Sequence, residues 1–132
     1  MKVESIIILA LFTLGHCAAQ TVTSNKVKFN RQDTLRGSIT TERAWWDLTY
    51  YHLDIEVKPD EKFISGKNTI QYQVLQPHQI LQVDLQAPMT IEKVTQKGMV
   101  LDFKSEGNAH FIRLKEPQTL GDINSIEVYY KG

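Results

Sequence analysis

A single cysteine, Cys17, is the whole thiol inventory of the chain, and it lies at the end of an apolar amino-terminal stretch. A disulfide framework is thereby excluded, and a mature domain must be held together by its core. No block of like charge occurs either, since 15 Lys and Arg balance 15 Asp and Glu. That removes the electrostatic case for nucleic acid or an anionic membrane surface as partner. No N-x-[ST] sequon is present, so no glycan is implied.

The usual carriers of chemistry are missing as well. There is no H-E-x-x-H, and His16, His52, His78 and His110 are spread along the chain, whereas a zinc site needs three or four clustered ligands. Solvent-facing histidines on strands and a loop are the expectation. There is no G-x-S-x-G, and Gly37, Gly66, Gly98, Gly107, Gly121 and Gly132 stand singly, as turn and strand-edge glycines do, not as a phosphate cradle. Asp54, Glu56 and Asp84 fall on solvent-facing strand positions, where they serve solubility better than acid–base work. No catalytic residue, cofactor-binding residue or metal ligand is assigned.

Long hydrophobic runs are also absent. The longest, "IIILALFTLG" from Ile6 to Gly15, is too short to span a bilayer and follows Lys2, which is the order of a secretory signal. Cys17-Ala18-Ala19 offers small residues for a cut before Gln20. The rival reading is a lipoprotein signal anchored through Cys17, which the bulky His16 disfavours. Export to a periplasmic, secreted or extracellular location is the expectation, with no transmembrane segment.

Strands make up what is there. From Gln20 to Arg43 the chain is polar and without period, read as an arm or linker with a short strand near Val27 to Phe29. Beyond it, Tyr51, Leu53, Ile55 and Val57 alternate with His52, Asp54, Glu56 and Lys58, the signature of a half-buried strand. "KPDEK" reads as a turn, and Ile64 to Val74 as a second strand completing a hairpin. "ILQVDLQA", "MTIEKVTQ", "MVLDFKS", "HFIRLKE" and "SIEVYYK" supply further strands, with Lys97-Gly98 as a hairpin turn. No amphipathic helical period lasts three turns. The fold class is all-β, an antiparallel sandwich-like domain.

Trp45 and Trp46 are the remaining candidates. One ring of the pair is expected to face the core and the other to cover an edge or dock a neighbouring domain; a ligand platform is the alternative.

"DLTYYHLDIEV", then "ISGKNTIQY", "LQVDLQ" and "SIEVYYKG" together resemble the N-terminal β-domain of the aminopeptidase N and leukotriene-hydrolase family of zinc metallopeptidases. Asp47, Tyr51, Leu53, Ile55, Ile64, Gly66, Val83, Asp84, Leu85, Ile126, Tyr130 and Gly132 fall on the family pattern in order, over a span from about Trp46 to the last residue. The resemblance implies a signal peptide at 1–19, an arm at 20–43 and an incomplete, non-catalytic β-domain at 44–132. It also implies that zinc, the peptide substrate and the H-E-x-x-H helix belong to the catalytic domain of the same parent chain. A sheet cut short would leave an unpaired edge. The competing expectation is a stand-alone exported β-sandwich that binds protein or carbohydrate through solvent-exposed Trp45 and Trp46.

Overall fold

The computed structural model describes residues 28–132; the expected signal peptide, its cleavage site and Val27 lie outside the described residues. Seven strands form one curled antiparallel sheet: β1 (Trp46–Lys58), β2 (Phe63–Val74), β3 (Ile80–Asp84), β4 (Thr90–Gln96), β5 (Met99–Glu106), β6 (Ala109–Arg113) and β7 (Ile123–Lys131). Their spatial order is β1-β2-β7-β4-β5-β6-β3. The last strand is therefore central, between β2 and β4, and the edges are β1 and β3.

Local chemistry accounts for the joints. β1 and β2 are linked by a 3-10 turn at Pro59–Glu61, where proline's fixed φ suits the first helical position, and Lys62 closes it in the left-handed region at φ 50°. β4 and β5 meet at Lys97-Gly98, with φ values of 50° and 79°. Two successive positive φ values are what a two-residue hairpin turn with the sheet's own twist requires.

The inner face carries the core. Ile70, Tyr72 and Val74 of β2, Ile126 and Val128 of β7, and Val94, Leu101, Ile112 and Leu81 from the other strands form one cluster with Trp45 and Leu114. Within it Tyr72 donates to Gln118 Oε1 at 3.0 Å and accepts from Gln96 Nε2 at 3.2 Å. Burial drives the Tyr72 phenol up to about 12, because the charged form would lose its water.

From residue 28 onward the segment before β1 is not an extended arm. Lys28–Asn30 form no strand, Arg31–Gly37 is helix α1 and Thr41–Ala44 is helix α2. Asn30 and Asp33 make a reciprocal capping box, each side chain bonding the other's backbone N–H at 3.0 Å, which satisfies donors a helix start leaves free. Leu35 is buried, and its carbonyl accepts from Gln82 Nε2 at 3.3 Å. Arg31 pairs with Glu106. These contacts fasten the segment to β3 and to the end of β5.

Candidate functional site

The apolar alternation of β1 is as expected, but its burial is not. Tyr51, Leu53, Ile55 and Val57 are 47%, 55%, 53% and 57% exposed, respectively, so the strand is not half-buried. Hydrophobic periodicity marks which face is apolar; it does not supply a cover. Inside the curl, the exposed row continues into a groove of 800 Å³ that runs between β1 and β3 over the floor of β2 and β7.

The groove gathers residues from distant parts of the sequence. Tyr51, Leu53, Ile64, Val83, Asp84, Leu85 and Tyr130 all line it, and all of them lie on the sequence pattern that carried the family resemblance. Gly132 sits at its rim, exchanging backbone hydrogen bonds with Ile64 at 2.8 and 2.9 Å and packing near Met89. Ile126 lies in the core instead. Gly66 lies where β1 and β7 close in: a Cβ there would run into the Asp54 carbonyl and come to 3.1 Å from the Tyr130 hydroxyl.

Burial raises the Tyr51 phenol, the ring lying partly within the sheet's curl. In the floor, Asn68 carries a buried Oδ1 that meets no hydrogen-bond partner among the described residues. A polar residue on the apolar parity of β2 was the sequence signal for it, while Met89 and Ile91, on the opposite wall, gave none. At one end, Arg43 and Asp84 form an ion pair, and Thr40 donates to Gln82 at 2.8 Å.

The other face of the same strands is polar. Lys67 donates to Glu127 at 2.9 Å, and Thr95 and Tyr129 add bonds to that carboxylate at 3.0 and 3.2 Å. The bond from Lys67, followed by that from Thr95, holds the Glu127 carboxyl below its usual range, and Lys67 is correspondingly raised. One face of these strands is therefore finished for water, while the other, buried in the core at one end, is left apolar and exposed toward β1.

Trp45 is not a platform. Its ring is 2% exposed, stands edge-on to Tyr72 at 5.7 Å, and donates Nε1–H to the Ile80 carbonyl at 2.8 Å. Trp46 is half-buried, also edge-on to Tyr72, bonds the Glu42 carbonyl at 3.0 Å and lines the groove. The exposed pair that a stand-alone binding module would need is absent.

The histidines do not converge. Among the described residues no group of three or more His, Cys, Asp or Glu side chains could hold a metal ion, so the donor set does not fit zinc. His52 is on the solvent face, as expected, but His110 is buried on β6 with Nδ1 at 2.8 Å from Ser105 Oγ. Its Nε2 is buried and has no partner among the described residues. No third group orients the imidazole, which a hydroxyl nucleophile would need. No described helix is long and apolar enough to cross a membrane.

No family model and no curated protein sequence matches the chain. Solved structures do match in fold. An M1 zinc metallopeptidase from Deinococcus radiodurans aligns with TM-score 0.61 and 20% identity over 67% of this chain and 21% of that one. Yeast LTA4 hydrolase in complex with bestatin aligns with TM-score 0.56 and 20% identity, over 66% of this chain and 14% of that one. The chain thus shares the fold of a β-domain within those enzymes and spans about a fifth of their length or less.

Proposed function

We propose that this chain is the non-catalytic N-terminal β-domain of an exported zinc aminopeptidase, which removes residues from peptide amino termini when the whole parent is present. The observation that carries the reading is the bare groove. It joins the residues of the family pattern on one face of a fold that the metallopeptidases share, and a domain whose inner face is left apolar calls for a neighbour to cover it. In this role the chain supplies scaffold: zinc, the general base and the contacts to the substrate's free amino group are contributed by a catalytic domain, and the groove is where the rest of the parent packs. Trp46 at the groove wall belongs to that interdomain surface.

The test is isolation of the endogenous product with an antibody raised against the β-domain. The expected result is a protein much larger than 15.2 kDa that releases amino acids from aminoacyl anilides and loses that activity to a zinc chelator. A captured product no larger than this chain, without peptidase activity, would overturn the reading.

A further inference from the structure

The segment ahead of β1 is held firmly at one end and lightly at the other. At its carboxyl end the Trp45 indole is buried and donates to the Ile80 carbonyl, while the Trp45 carbonyl accepts from the Leu75 and Gln76 amides at 2.7 and 3.1 Å. Helix α2 packs along β3. At its amino end α1 buries one side chain, Leu35, and its bonds to the sheet among the described residues come from polar groups. Between the two ends Gly37 has open space where a Cβ would stand, and Ile39 is 83% exposed.

What lies beneath α1 is suited to water. A cleft of 440 Å³ separates the helix from the sheet, with Gln32, Asp33 and Arg36 on one wall and Asp84, Gln86 and Asn108 on the other. Gln82, 1% exposed, donates from Nε2 to the Leu35 carbonyl at 3.3 Å and to Asp84 at 3.1 Å. An amide in that position can take water in place of a protein partner at small net cost. A permanent cover buries apolar area, which is what resists return to water; here the apolar side chain at stake on the helix is Leu35 alone. The remaining hold is electrostatic. Arg31 grips Glu106 at the end of β5 through two parallel bonds, Nε to Oε1 and Nη2 to Oε2, the second at 2.8 Å, and a forked pair of this kind is stronger than a single contact.

We propose that α1 is a lid that swings off the sheet about residues 37–39 while the sheet stays folded, with the Arg31–Glu106 pair as its latch. A helix of seven residues has no stability of its own, so each opening gives its backbone hydrogen bonds to water. Opening bares the cleft. It also reaches the groove, because Arg43 donates to the Ser38 carbonyl at 3.2 Å and pairs with Asp84 at the groove's end. The lid is built from contacts that the described residues make with one another, and it does not depend on the parent-enzyme reading.

Hydrogen exchange on the full chain at single-residue resolution tests it. The Thr34 and Ser38 amides bond to the Asn30 and Thr34 carbonyls. They are expected to exchange through an opening that low denaturant does not promote, whereas the β2–β7 ladder exchanges only with global unfolding. Glu106→Gln should speed the α1 amides about fivefold, the upper range for an exposed pair, and leave the ladder unchanged. Raising the ionic strength to about 1 M, where the Debye length is about 3 Å, should speed the wild type more than the variant. The Arg36–Asp33 and Arg43–Asp84 pairs are present in both proteins, so the difference reports the latch. Arg31→Glu alone should open the lid further, and combining it with Glu106→Arg should restore protection. Loss of α1 protection only together with that of β2 and β7 overturns the proposal. So does a lid that is equally open in wild type and Glu106→Gln, or a charge exchange no better protected than Arg31→Glu alone.

Discussion

Gly66 and Tyr72 show how much single positions carry. With the Asp54 carbonyl occupying the space a Cβ needs, Gly66→Ala must push two paired strands apart. A loss of about 1–3 kcal/mol is expected, as for other overpacked sites, measurable as a lower denaturant midpoint. Tyr72→Phe leaves Gln96 Nε2 without its acceptor and Gln118 without one of its donors, at a cost of about 1–2 kcal/mol. The same change should alter the alkaline limb. The Tyr72 pKa, raised to about 12 by burial, contributes stability that is complete below the unfolded value of about 10 and is lost as pH rises from there through the folded value. The phenylalanine variant has no proton to lose at this position, so its stability should fall less steeply across that window; a parallel decline in both proteins would contradict the assignment. Which residues alternate was legible in the sequence, and so was the inward turn of one tryptophan of the pair. That Trp45 is the buried one depends on the Ile80 carbonyl, brought to it by a strand far along the chain. The burial of His110 runs against the expectation of solvent-facing histidines because one residue says nothing of which sheet face lies inward.

Among the elements, the strands were the readable part and the segment before them was not. The strand assignments rest on alternation or on turn residues with fixed backbone demands, such as Lys97-Gly98. Arg31–Gly37 is too short to show a helical period, and its one buried apolar side chain, Leu35, is lost among polar neighbours; the Asn30 and Asp33 cap was the available signal. Leu35→Ala is expected to loosen α1 from β3 and β5 at a cost of about 2 kcal/mol, the low end for a buried leucine because the site is peripheral. Hydrogen exchange should show faster amides in α1 with the β2–β7 ladder still protected. Uniform acceleration through the sheet would mean that α1 is part of the central fold. The placing of β7 between β2 and β4 was beyond reach, because strand order depends on pairings over long sequence separations that local pattern does not encode.

At the scale of the molecule, the sequence resemblance foresaw the fold and the structure added the bare inner face. The apolar row was visible from periodicity; its exposure depends on what does or does not cover it. An environment-sensitive dye such as ANS should bind the folded chain at pH 7 through this groove, with cooperative melting retained. Leu53→Ser with Ile64→Ser, both on exposed groove walls, should reduce the bound fluorescence severalfold with little change in melting temperature. Dye binding that vanished only on unfolding, or was indifferent to the pair, would deny the groove its character. The proposal that this face receives the rest of a zinc aminopeptidase is tested most directly by the transcript read past the codon for Gly132. The claim predicts an open frame that continues into an H-E-x-x-H helix with a downstream Glu; a stop codon directly after Gly132 would contradict it.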